Sequence, residues 1–302
     1  MPNRPPIHRV LMLVAAAACW GVGTVITKQV LTDVAPLTLL PVQLAASCLF
    51  LAVVARVSRT TITWSPQLRR LTALGLLNPG LAYALGLLGL ASITASMSVL
   101  LWATEPVLIL LLAVVLFRER VAGGLVVAMA VAMLGVLLVV YQPSASGSGV
   151  GVVLTLAGVL ACAFYTVLAR RLLLDDASVS VALVQQTAAL GFALVVLAGA
   201  QVVTGDELGV GSMSPADWIG ATASGVLYYG LAFWFYLAGL RQVSASVAGS
   251  FITLVPVFGV AGGYVVGERL TAWQWVGAAV VVGAVAVVAV RQRGGRDVAA
   301  TP

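Results

Sequence analysis

Glu105 stands in the middle of an apolar run, residues 95 to 116, immediately before Pro106. A carboxylate at the centre of a helix embedded in hydrocarbon costs about 2.5 to 3.5 kcal/mol on insertion scales. Two responses are open to it: it keeps its proton, or it faces a wet cavity and pairs with a cation or a hydrogen-bond donor. Either suits a proton-linked or cation-selective site, which makes Glu105 the candidate for proton coupling. The structural alternative is a protonated group bonded to a neighbouring helix. Ser98, Trp102 and Glu105 follow i, i+4, i+7 and on a continuous helix share one face, a polar stripe beside an aromatic that reads as a cavity wall.

Other polar groups lie equally deep in apolar sequence. Asn78, followed by Pro79 and Gly80, and Tyr228, followed by Tyr229 and Gly230, place an amide and a phenol where each must find a partner. A wet cavity or an interhelical hydrogen bond would supply one. Gln43 and Gln185 are further amides expected to bind solute or bridge helices. Trp20, Tyr165 and Trp234 carry polar tips at depth and join the candidate binding residues, as does Thr253, which follows Ser246 and Ser250 at helical spacing. Pro106 and Pro256 each remove a backbone donor, freeing the carbonyls of Trp102 and Ile252 and marking two candidate helix breaks. Lys28, the sole lysine, reads as an interfacial anchor. Glu119 and Glu268 read as anions at the positive ends of the helices that follow them.

The elements that must hold these groups follow from composition. Of 302 residues, 61% are hydrophobic and 9% charged, against roughly 25% charged in soluble domains, which excludes a soluble globular protein. With about 20 apolar residues per crossing, ten runs can be marked: 10–28, 35–55, 71–90, 95–116, 121–141, 150–169, 180–203, 219–240, 245–266 and 272–290, numbered here as spans 1 to 10. The first is read as a retained helix and not a cleaved signal. Placing the N-terminus in the cytoplasm puts fourteen basic residues inside and leaves only Lys28 and Arg269 outside, a decisive asymmetry under the positive-inside rule. Both termini are expected in the cytoplasm and the chain in the cytoplasmic membrane. The scattered arginines mark topology, so no nucleic-acid partner is expected. Cys19, Cys48 and Cys162 offer neither disulfide nor metal spacing.

An internal repeat organises the spans. Residues 80–96 lie over residues 230–246 with eight of seventeen positions identical, and the same offset of 150 sets Pro106 over Pro256. An offset of 142 pairs Lys28 with Arg170 and Gln43 with Gln185. Five spans per unit is an odd number, so the second unit is expected to cross in reverse, the inverted-repeat plan of secondary transporters with a solute site between the halves. The expectation is an all-α membrane protein of ten transmembrane helices in two inverted five-helix repeats: residues 1–141, an external linker at 142–149, a second repeat at 150–291 and a cytoplasmic tail at 292–302. Spans 5 and 10 are rich in small residues, including Ala128, Ala132, Gly135, Ala279 and Gly283. They suit either bracing of the bundle or a homodimer contact.

Trp20-Gly21 with Lys28, the Ala95–Pro106 segment leading to Glu119-Arg120, and its echo through Pro256 to Gly267-Glu268-Arg269-Leu270 resemble the EamA family of the drug/metabolite transporter superfamily. The resemblance covers nearly the whole chain. It implies export of small metabolites, amino acids or drug-like compounds by alternating access. Where span 2 of such proteins often has an arginine, this chain has Gln43, which removes a fixed positive charge. An uncoupled facilitator for neutral or zwitterionic solutes is the alternative. A membrane-embedded enzyme is disfavoured, because the only histidine is His8 and neither a phosphate loop nor GxSxG occurs. No cofactor, metal or enzymatic activity is expected. The expected partners are a small-molecule solute and membrane lipid.

Overall fold

The computed structural model describes residues 7–117, 149–169, 172, 178–204, 210–240 and 254–299, together with single positions and pairs between 123 and 138. Among the described residues there is no strand. Runs of Leu, Val and Ala become helices because hydrocarbon offers backbone N–H and C=O groups no partner outside the segment itself.

The first half holds α1 (Ile7–Val30), α2 (Pro36–Val57), α3 (Pro66–Leu74), a π-helical segment at Leu76–Leu81, α4 (Ala82–Ser92), α5 (Ala95–Trp102) and α6 (Glu105–Phe117). The second holds α7 (Gly149–Ala169), α8 (Ser178–Thr204), a short turn at Val210–Ser212, α9 (Pro215–Ser224), a π-helical segment at Gly225–Leu231, α10 (Ala232–Leu240), α11 (Val255–Val265) and α12 (Ala272–Ala299). Side chains punctuate them. Ser65 accepts from the Leu68 N–H at the start of α3, Ser214 and Asp217 form a capping box on α9, and Thr271 with Gln274 caps α12.

Five helices among the described residues are long and apolar enough to cross a bilayer: Leu11–Val30, Pro36–Val57, Pro66–Ser92, Gly149–Ala169 and Val179–Val203. They correspond to spans 1, 2, 3, 6 and 7. The apolar stretch Ala95–Ile109, which takes in α5 and the start of α6, and the shorter apolar helices Val255–Val265 and Ala272–Ala284 lie within spans 4, 9 and 10. Most of span 5 and residues 241–253 lie outside the described residues, and with them Glu119, Ala128, Ala132, Ser246, Ser250 and Thr253. Gly135 is described: its Cα faces α12 so closely that a Cβ there would lie 2.9 Å from the Val281 backbone nitrogen. At that point a small residue braces the bundle.

Each half packs its first helix onto the other half. α1 lies against α9, the second π segment, α10 and α11, while α7 lies against the first π segment, α4, α5 and α6. α2 pairs directly with α8. The contacts repeat at residue level: Gly80 faces Phe192 and Gly230 faces Phe50, with the phenylalanines 142 positions apart.

The end of α11 shows how local rules set distant geometry. Gly267 takes φ +96, its N–H bonds the Tyr264 carbonyl at 3.3 Å, and the Glu268 N–H bonds the Gly263 carbonyl at 2.9 Å. That is a Schellman termination, with glycine at the left-handed position. A side chain there costs about 1 to 2 kcal/mol, so Gly267→Ala is expected to lower thermal stability in detergent by that amount. An unchanged Tm would show that the turn is unimportant.

Candidate functional site

Between the halves, Thr24 and Thr27 of α1, Tyr83, Gly86, Leu87 and Leu90 of α4, Ser98 and Trp102 of α5, and Tyr228 and Tyr229 of the second π segment line a cavity of about 30 Å³. That volume holds about two waters. Four aromatic rings form much of the wall. Tyr83 sits with its centroid 5.5 Å from Trp102, 5.5 Å from Tyr228 and 5.1 Å from Tyr229. The wall residues include no basic side chain. The π segments place this wall: Pro79 cannot continue the backbone ladder, Asn78 leaves helical geometry at φ −144, ψ 121, and the matching stretch at Gly225–Leu231 aims two consecutive tyrosines inward.

Of the expected binding residues, Trp102 and Tyr228 line the cavity, together with Ser98. Glu105 does not share their face. α5 stops at Trp102, Ala103 and Thr104 form a turn, and α6 restarts at Glu105, with Thr104 accepting from the Val107 N–H at 2.9 Å. Pro106 therefore occupies the first turn of a new helix, where its missing N–H is tolerated, and does not bend a continuous one. The break turns Glu105 toward α7, where Cys162 Sγ and Thr166 Oγ1 each donate to Oε1 at 3.3 Å. Glu105 is half-buried one layer behind the cavity. Trp102 packs against the cluster that contains Cys162.

The amides tie helices together. Gln43 Nε2 donates to Thr27 Oγ1 at 2.9 Å and Ser224 Oγ at 2.8 Å, joining α2 to α1 and α9. Gln185 accepts from Tyr165 at 2.9 Å and donates to the Leu71 carbonyl at 3.0 Å, joining α8 to α7 and α3. The two bridges occupy equivalent places in the halves. Beside them, Gln186 donates to the Tyr229 carbonyl at 2.9 Å and accepts from Ser47, which fixes the backbone beneath a cavity tyrosine. Gln43 Oε1 and Asn78 Oδ1 are buried without a hydrogen-bond partner. Gln43 reaches the cavity wall through Thr27, whereas Tyr165, Asn78 and Gln185 lie away from it.

Trp20 packs edge-on against Phe233 and tilted against Tyr236, both at 5.5 Å. Trp234 stacks on Phe235 at 5.5 Å and meets Phe50 at 6.0 Å. Neither lines the cavity. Pro256 opens α11 as Pro106 opens α6. Tyr83, Tyr229, Thr24 and Thr27 are wall residues that the sequence reading did not single out. The available signal was the repeat, which sets Tyr83 over Phe233, and the i, i+3 spacing of the two threonines. No cluster of three metal-ligating side chains occurs among the described residues.

A model of the EamA-like transporter family matches residues 9–141 and again residues 149–290. Among curated proteins no match was found. A solved structure, described only as a protein crystal structure, superposes with a TM-score of 0.65 at 18% sequence identity over 95% of this chain and 98% of that one, a likeness that shows the shared fold. Apolar helices, two matched repeats and a cavity between them converge: the chain belongs to the EamA-like transporter family of multi-pass membrane proteins.

Proposed function

We propose that this chain is a secondary transporter that exports small organic cations or zwitterions, amine metabolites and drug-like amines among them, by alternating access. The observation that carries the reading is the cavity between the two halves, walled by tyrosine, tryptophan and hydroxyl groups without a basic side chain. Aromatic faces attract cations, by about 2 kcal/mol where the contact is desolvated, and the Glu105 carboxylate lies one layer behind. A multiply charged anion finds no counter-charge there. Room for about two waters is too little for such a solute, so the wall must part to take one.

In this proposal ten spans form two inverted repeats, residues 1–141 and 150–291, joined by an external linker at 142–149, with the 292–302 tail and both termini in the cytoplasm. Lining by Trp102 and Tyr228, and indirectly by Gln43, forms the solute site. Asn78, Tyr165, Gln185, Trp20, Trp234 and Thr253 act as supporting groups in the moving halves. Glu105 carries the coupling proton, and the breaks at Pro106 and Pro256 are the points where spans 4 and 9 flex. Cys162 and Thr166 hold the carboxylate away from the wall, and one specific observation favours an uncoupled facilitator instead: Glu105 is absent from the cavity lining.

Efflux from proteoliposomes loaded with a panel of aromatic amines, quaternary ammonium ions and amino acids decides between them. The carrier gives saturable efflux that a pH gradient accelerates. Equal efflux with and without the gradient selects the facilitator, and no efflux of any solute overturns the transport reading for this panel. Tyr228→Ala is expected to raise the half-saturation concentration of a cationic solute by up to roughly 30-fold, the equivalent of one desolvated cation–π contact. A neutral solute should be much less affected.

A further inference from the structure

We propose that Lys28 and Glu268 form a two-armed latch that holds the α4–α5 turn shut at the Thr27–Leu90–Ser98 end of the cavity, and that solute passes on that side only when the latch releases. The proposal takes its purpose from the carrier reading, while its geometry stands independently. α4 and α5 are joined by only Ile93 and Thr94, and two charges from distant parts of the chain grip the helix ends on either side of that joint.

On one side, Lys28 Nζ donates to the Leu90 carbonyl at 2.9 Å and the Ala91 carbonyl at 3.0 Å. These are last-turn carbonyls of α4, whose partial negative charge favours a cation. On the other side, the Glu268 carboxylate accepts from the Ala95 N–H at 2.6 Å and the Ser96 N–H at 2.8 Å. Thr94 Oγ1 takes the Met97 N–H at 3.1 Å, so the first three backbone donors of α5 are all satisfied, the first two of them only when Glu268 is in place. The expectation that Glu268 serves the helix that follows it is thereby corrected: Thr271 and Gln274 cap α12, and Glu268 serves a helix 172 residues away.

Local structure delivers both arms. The Schellman turn through Gly267 folds Glu268 back beneath Gly263, where a Cβ would meet the carboxylate at 2.5 Å, so glycine is needed to leave the pocket open. Arg269 braces the turn by donating to the Tyr264 and Glu268 carbonyls at 2.8 Å each and stacking 4.0 Å above the Tyr264 ring. Lys28 follows Thr27, and Leu90 and Ser98 flank the joint. All three neighbours are cavity-wall residues. Withdrawing either arm therefore exposes unpaired helix-end groups, a change that becomes tolerable only when water or solute enters that end of the cavity.

Thiol access tests this directly. Cys19→Ala, Cys48→Ala and Cys162→Ser remove the native thiols, and Ser98→Cys places a single one on the wall. A membrane-impermeant cationic thiol reagent is then applied to either face of oriented vesicles. The parent is expected to label slowly from the face bearing the α4–α5 turn. Lys28→Met and Glu268→Ala each label about tenfold faster or more from that face only, as expected for the loss of charge-assisted hydrogen bonds. Glu268→Gln, which keeps one acceptor, falls between, and Lys28→Arg stays slow. Should Lys28→Met or Glu268→Ala fail to elute as a single species, the Glu268→Gln and Lys28→Arg pair decides alone. Rates indistinguishable from the parent, or equal acceleration from both faces, overturn the latch. Solute flux by the parent is measured separately, so absent flux with the expected labelling pattern sinks the carrier reading and leaves the latch standing.

Discussion

Glu105→Gln abolishes the response of transport to a proton gradient and lowers gradient-driven flux by roughly 10- to 150-fold, the equivalent of about 1.5 to 3 kcal/mol for a hydrogen bond to a charged group. Glutamine keeps the size of the side chain and a carbonyl oxygen able to accept from Cys162 and Thr166, which donate to Oε1 at 3.3 Å. Only the exchangeable proton and the charge are lost. A charged carboxylate at this depth costs about 2.5 to 3.5 kcal/mol, so the variant should fold at least as well as the parent. Stability and flux therefore move in different directions if Glu105 serves transport. If it serves the fold alone, they move together. Measuring Tm in detergent beside efflux in proteoliposomes separates the two, and parent-like efflux with intact gradient dependence removes Glu105 from the mechanism.

What could be read from the sequence was whatever violates the economy of an apolar chain. Glu105, Gln43, Gln185, Asn78 and the prolines each announce a cost that the surroundings must meet, and each does lie at a helix break, a bridge between helices or a cavity edge. The repeat was legible because eight of seventeen residues in 80–96 recur in register at 230–246. Tyr83 was not, since an aromatic within an apolar run satisfies lipid, packing and a solute wall equally well. In a bundle apolar on every side, no period distinguishes the inward face. The departure of Glu105 from the face of Ser98 and Trp102 depends on where the chain breaks relative to Pro106: the break falls at Ala103–Thr104, and the proline then begins a helix. Taken locally, as helix dipoles invite, Glu268 belongs to the helix that follows it. Its true partner is set by tertiary structure, far along the chain, and no window of sequence contains it.

Gly75→Ala and Gly225→Ala are each expected to destabilise the protein by about 3 kcal/mol or more, although alanine is the better helix former. At Gly75 an added Cβ would lie 2.5 Å from the Gln185 carbonyl oxygen and 2.8 Å from the Gln185 Cα. At Gly225 it would lie at the same distances from the Gln43 carbonyl oxygen and Cα. Both obstacles are backbone, so no side-chain rotation relieves them and the helices must separate. Separation strains the bridges beside each contact, Gln185 to the Leu71 carbonyl at 3.0 Å and Gln43 to Ser224 at 2.8 Å, leaving buried amides short of partners. Gly191 and Gly199 in α8 are the controls, since an added Cβ there meets no heavy atom within 4 Å. Alanine at either should be neutral or stabilising by up to about 1 kcal/mol. Because Gly75 immediately precedes the first π segment and Gly225 begins the second, at equivalent places in the halves, similar losses at both are expected, read as the Tm of purified protein. A Gly225→Ala variant as stable as Gly191→Ala would mean that the halves do not meet backbone to backbone there, and the tyrosines carried by the π segment would then not be held against the cavity.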